Sequence, residues 1–165
     1  MVNIYLDNSA TSWPKPPTVI EAITRYMTDF GASPGRSGHH FSVKAAKEVF
    51  ETRELVSSLF NVPSSDRVIF TANATQAINT ALFGLLKKGD HVIISHMEHN
   101  SVLRPLRHLE NEGIIELTIV GCDEKGYINR ENLKNSFKSN TKLVVTIHGS
   151  NVTGTIQPIS QIGEI

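Results

Sequence analysis

Three short polar clusters carry the residue types that could do chemistry, and the first of them could hold an anion. It is Thr71-Ala72-Asn73-Ala74-Thr75-Gln76. Before it stands the apolar run Val68-Ile69-Phe70, and after it Ala77, Ile78, Ala81, Leu82, Leu85 and Leu86 recur at helical spacing. A buried strand, a turn and a helix are expected in that order, with Asn73 or Thr75 able to cap the helix. Such a turn aims free backbone N–H groups and the positive end of the helix dipole at one spot, which suits a phosphate. Thr75 could add a hydroxyl donor. The stretch is neither a Walker loop nor a dinucleotide fingerprint, so its meaning depends on the clusters that accompany it. These are His96-Met97-Glu98-His99-Asn100-Ser101 and His148-Gly149-Ser150-Asn151-Val152-Thr153.

The elements that must position these clusters follow from the apolar pattern. An apolar run from Val2 to Leu6 precedes a turn, and Trp13-Pro14-Lys15-Pro16-Pro17 cannot continue regular structure because its prolines remove donors and fix φ. Thr18 is expected to cap a helix that stops at Gly31, and residues 32–40 have the composition of an irregular loop. Ser42 is expected to cap a second helix, from Val43 to about Phe60, with Val49, Phe50, Leu55, Val56, Leu59 and Phe60 as its inner side. Beyond the anion turn come strands at 91–95, 114–120 and 143–147. Between them lie a helix from Val102 to Asn111 and a short one near Leu133, opened by Asn129 or Asn132. Almost wholly apolar strands alternating with helices predict an α/β fold, a mainly parallel sheet with helices on both faces. Ligands of such sheets sit outside the carboxyl ends of the strands, where all three polar clusters fall.

Composition narrows the function classes. A chain of 165 residues is enough for one α/β domain with a sizeable core. Lys plus Arg and Asp plus Glu both number 16, so no net field favours nucleic acid or an acidic membrane surface. No stretch is long and apolar enough to span a bilayer, and no signal-peptide pattern opens the chain. The single cysteine, Cys122, excludes an internal disulfide and fits a reducing cytoplasm. His91, His96, His99 and His108 lack carboxylates or thiols at metal-ligand spacing, so no metal site is expected.

Five stretches then carry a resemblance. Tyr5-Leu6-Asp7-Asn8-Ser9-Ala10-Thr11, Phe70-Thr71-Ala72-Asn73-Ala74-Thr75-Gln76-Ala77-Ile78-Asn79, Gly89-Asp90-His91-Val92-Ile93, Met97-Glu98-His99-Asn100 and His148-Gly149-Ser150-Asn151-Val152-Thr153-Gly154 occur in order. Together they resemble the N-terminal part of class V aminotransferase-type enzymes, in the cysteine desulfurase and selenocysteine lyase branch. The resemblance implies a partial large domain of a fold-type I transferase that uses pyridoxal 5′-phosphate. Residues 1–40 would form the N-terminal substrate-side segment and first helix, and 41–165 an incomplete cofactor-binding domain. Ala74 and Thr75 would hold the phosphate. His99 would stack on the pyridine ring and help proton transfer, and Asn151 would bond the phenolic oxygen near the substrate carboxylate. Ser9 and Ala10 would line the substrate pocket, and Arg36 matches a loop arginine near it more loosely. A homodimer, a small amino-acid substrate such as cysteine and a sulfur-acceptor protein are implied as well.

The sequence also departs from the family pattern. Gln76 stands where Glu is usual, Ser9 replaces a common Ala, and Gly35-Arg36-Ser37-Gly38-His39-His40 mixes patterns of several branches. No lysine lies in the family's Ser-x-His-Lys context, and the sulfur-accepting cysteine has no counterpart. The chain is therefore expected to be part of a longer enzyme and inactive alone, because the cofactor needs a lysine to hold it as a Schiff base. Two other readings share these features: another class V aminotransferase or lyase, and a non-catalytic module that binds a cofactor or partner.

Overall fold

The computed structural model describes residues 4–36 and 38–165, so part of the apolar run at 2–6 and Ser37 of the mixed loop lie outside the described residues. The chain forms two compact units that divide between Phe70 and Thr71.

The first unit is helical. Helix α1, Pro17–Asp29, starts with proline at its first position, where the missing N–H costs nothing and the fixed φ suits a helix. Thr18 therefore lies inside the helix and makes no cap bond. Helix α2, His40–Leu59, is capped by His39, whose Nδ1 accepts the Ser42 N–H at 3.2 Å. Ser42 was the expected cap, but its hydroxyl donates instead to the Ser33 carbonyl at 3.0 Å. The expected inner side of α2 also needs correction. Val49 and Val56 are half-buried, whereas Phe50, Leu55, Leu59 and Phe60 are exposed; the buried positions are Ser42, Ala45 and Ser57. An Arg25–Glu48 ion pair at 3.0 Å joins α1 to α2.

The expected strand at 68–70 is absent. Val68 has extended dihedrals, φ −90° and ψ 111°, but a strand needs a ladder partner and none lies beside it among the described residues. Ile69 is 71% exposed.

The second unit holds the sheet. Helix α3, Ala74–Leu85, leads to strand β1, Asp90–Ser95; helix α4, Asn100–Asn111, leads to β2, Ile115–Val120. Helix α5, Arg130–Asn135, precedes β3, Thr141–Val145, and α6, Ile159–Gly163, follows it. All three strands are parallel, in the order β2-β1-β3. The central strand is buried on both faces, which explains its unbroken apolar run. Val92 and Ile94 pack under Leu82 and Leu86 of the α3 region and Val102, Leu106 and Leu109 of α4. Ile93 faces the other way, against Val120, Ile128 and Leu133, with Ile162 of α6 beside them. Helices therefore cover both faces of a parallel sheet.

Candidate functional site

The turn at 71–76 is built by its caps. Asn73, extended at φ −166° and ψ 170°, accepts the Gln76 N–H on Oδ1 at 2.9 Å and is the N-cap. Gln76 reaches back and accepts the Ala72 N–H on Oε1 at 2.9 Å. This reciprocal arrangement resembles a capping box, in which Gln and Glu serve equally as acceptors, so Gln76 in place of Glu leaves the turn intact. With Gln76 bonded to the cap and Ala77 to the Asn73 carbonyl, the N–H groups of Ala74 and Thr75 have no partner among the described residues. Two free donors and the helix dipole thus point out of α3 at one place.

His99 occupies the corresponding place on α4. Its Nδ1 accepts the Ser101 N–H at 3.1 Å and lies 2.9 Å from the Ser101 hydroxyl, so the imidazole caps the helix. Because Nδ1 accepts, the neutral ring carries its proton on Nε2. A cavity of about 470 Å³ joins the two helix starts; it is lined by Thr75, Asn79 and Phe83 from α3 and by His99, Ser101 and Arg104 around α4. The Asn79 amide fixes the pair of helices by donating to the Thr75 carbonyl at 2.8 Å and to the Ser101 carbonyl at 3.2 Å.

Thr75 and His99 are thereby brought together. Ala74 adjoins them through the backbone but is not part of the cavity wall. Asn151 is exposed at the apex of the loop after β3 and does not line the cavity. That loop is a closed turn: Ser150 Oγ accepts the N–H groups of Val152 and Thr153, both at 3.2 Å, and Gly149 pairs with Ile156. Ser9, Ala10 and Arg36 belong to the first unit. Ser9 and Ala10 sit in an exposed turn whose Ala10 N–H donates to the Asp7 carbonyl at 3.1 Å, and Arg36 is exposed in a bend.

Three residues of this region have no role among the expectations above. Asn79 is one. Another is Gln157, which is buried, accepts the Ile128 N–H at 3.1 Å and donates to the Gly126 carbonyl at 2.6 Å. The third is Glu98, a half-buried carboxylate that accepts the Ile147 N–H at 2.8 Å and the Ser95 hydroxyl. Burial pushes its carboxyl above the usual range, opposed by the hydrogen bonds from Ser95 and Ile147, which favour the charged form. The folded chain then binds this proton more tightly than the unfolded chain does. Stability contributed by Glu98 therefore falls as pH rises from the ordinary carboxylate pKa through the raised one. Glu98→Gln keeps an acceptor without the charge. It is expected to gain stability relative to wild type as pH rises from about 4 to about 7, read from paired melting temperatures. A difference that does not vary with pH would contradict this.

Two other titratable groups are structural. His91 is fully buried, with Nδ1 and Nε2 each 2.8 Å from a threonine hydroxyl, Thr141 and Thr118. Burial, with help from Lys138, lowers its pKa and so favours the neutral imidazole. Cys122 pairs with Ile128 in a bridge, and burial pushes its thiol up, which disfavours the reactive thiolate.

A family model described as aminotransferase class V matches residues 4–165. A probable cysteine desulfurase of Methanothermobacter thermautotrophicus is 34% identical over 164 residues, which are 99% of this chain and 40% of that protein. Among solved structures, the apo cysteine desulfurase of Thermococcus onnurineus superposes with a TM-score of 0.88 at 29% identity, over 98% of this chain and 40% of that one. A structure described as SspA in complex with cysteine superposes with a TM-score of 0.86 at 28% identity, over 97% of this chain and 46% of that one. The chain thus spans about 40% of the length of the curated relatives it matches.

Proposed function

Because the chain belongs to the class V aminotransferase family, we propose that the whole protein carrying it is a pyridoxal 5′-phosphate-dependent cysteine desulfurase. It would take sulfur from L-cysteine onto an enzyme thiol as a persulfide and leave alanine. The observation that carries the reading is the pair of N–H groups at the start of α3 that have no partner among the described residues, sharing one region with the Thr75 hydroxyl and the His99 ring. This donor set fits a phosphate ester attached to an aromatic ring.

In this reading the Ala74 and Thr75 N–H groups and the Thr75 hydroxyl bind the phosphate, and their rigid caps fix its position. His99 presents its ring to the cofactor and holds a proton at Nε2, because Ser101 engages Nδ1. Asn151 donates to the phenolic oxygen. Ser9, Ala10 and Arg36 serve the substrate side. Residues 1–40 form the substrate-side segment and 41–165 part of the cofactor-binding domain. When bound, the cofactor supplies an electron sink for the substrate carbanion. No lysine among these 165 residues is assigned the Schiff-base role, and the chain by itself is proposed to be inactive. The whole protein is assigned to the cytoplasm as a homodimer that passes sulfur to an acceptor protein. Its single thiol in this stretch suits a reducing compartment, and no helix among the described residues is long and apolar enough to cross a membrane.

The test is product analysis of the cofactor-loaded whole protein. L-Cysteine is expected to give alanine in equal amount to the sulfur transferred. Amino-group transfer to a 2-oxo acid without sulfur release would place the protein elsewhere in the family. Saturable cofactor binding with no turnover of any amino acid would make it a binding module.

A further inference from the structure

We propose that Glu98 is a positioning residue: its carboxylate clasps the end of β1 to the end of β3 and so holds the His99 loop in register with the Asn151 loop. The inference rests on the roles assigned above to His99 and Asn151.

Strands β1 and β3 are paired as far as Ile94 and Val145, after which their chains continue into the two polar loops. Beyond that point Glu98 Oε1 makes the connection. It accepts the Ile147 N–H at 2.8 Å from the β3 side and the Ser95 hydroxyl from the β1 side. Ser95 is buried, and its Oγ also accepts the Met97 N–H at 3.2 Å, so the turn at 95–98 is closed on itself. His99 is the next residue and is held in turn by its cap bond to Ser101. On the other strand Ile147 runs into the closed turn at 148–157, where the His148 carbonyl accepts the Gln157 N–H at 2.8 Å. One oxygen atom therefore sits at the root of both loops, one residue before His99 and four before Asn151.

When ionised, a carboxylate suits this place because it accepts both donors and brings no donor of its own. No cation pairs with Glu98 among the described residues, and burial disfavours its charged form.

The test uses the whole protein in its apo form and follows two readouts of added pyridoxal 5′-phosphate: its dissociation constant and the visible circular dichroism of the bound ring. Melting temperature is recorded separately. Glu98→Ala is expected to weaken binding about tenfold and to reduce the dichroism, the effect of losing about one well-made hydrogen bond. Glu98→Gln is expected to remain within about threefold of wild type, since it keeps an acceptor. A Glu98→Ala protein with a changed melting temperature but wild-type affinity and dichroism would overturn the proposal, leaving a merely structural role. Should Glu98→Ala fail to fold, Ser95→Ala removes one arm of the clasp. About threefold weaker binding then supports the proposal, and unchanged binding overturns it. His99→Asn, which keeps an N-cap acceptor but loses the ring, separates the two levels. If it leaves both readouts unchanged, the assignment of His99 itself is wrong. If it alters them while the Glu98 variants do not, only the clasp is wrong.

Discussion

Replacing Ala74 by proline is expected to weaken pyridoxal 5′-phosphate binding by the whole protein by about 1.5–3 kcal/mol, roughly ten- to hundredfold, with little change in melting temperature. Ala74 is the first residue of α3, the one helical position where proline is favoured. The residue before a proline must be extended, and Asn73 already is, at φ −166° and ψ 170°. The helix is therefore retained while one of the two free N–H donors is replaced by ring carbons. Hydrogen bonds to a charged phosphate are at the strong end of the range, which sets the size of the effect. Equilibrium dialysis of the cofactor against wild type and variant checks it. Undiminished affinity in a folded Ala74→Pro protein would remove the α3 terminus from the site.

The largest effect on stability is expected at Ile93. Its side chain is fully buried on the central strand, among Val120, Ile128 and Leu133. Val120 is fixed on β2 and Leu133 on α5, and Val144 of β3 packs beside them, so the gap left by Ile93→Ala has little room to collapse. A loss of about 2–5 kcal/mol is expected, against about 0.5–1.5 kcal/mol for Ile93→Val. Denaturant unfolding of the whole protein, followed by near-ultraviolet dichroism, measures both. A loss well below about 1 kcal/mol for the alanine variant would mean that the side chain is not packed as described.

These two positions also mark what the sequence made legible. The α/β alternation, the parallel sheet and the unbroken apolar run of β1 could be read from residue types, because burial on both faces leaves no polar alternation. The turn at 71–76 and its helix were legible from local signals, a cap residue followed by a helical stripe, although the strand expected before them is absent. What failed was whatever depends on a neighbour distant in the chain. The run at 68–70 has strand composition, but strand formation needs a ladder partner and none lies beside it among the described residues. The stripe on α2 has the right period, yet periodicity says which residues share a face and nothing of what covers that face. Phe50, Leu55, Leu59 and Phe60 are exposed accordingly. Caps were half legible. Asn73, Thr75, Ser42 and His39 all offer acceptors near a helix start, and only backbone geometry decides which reaches the third N–H. Least legible was Glu98, whose partner Ile147 is 49 residues away. Its neighbours in sequence give no sign that one carboxylate joins two strand ends.

The most direct measurement is a crystal structure of the whole protein with pyridoxal 5′-phosphate bound, read for the position of the phosphate. The expected result has phosphate oxygens within hydrogen-bonding distance of the Ala74 and Thr75 N–H groups, with the pyridine ring against His99. Phosphate held elsewhere, with those two N–H groups turned to solvent or to protein, would contradict the assignment of the α3 terminus as the cofactor anchor.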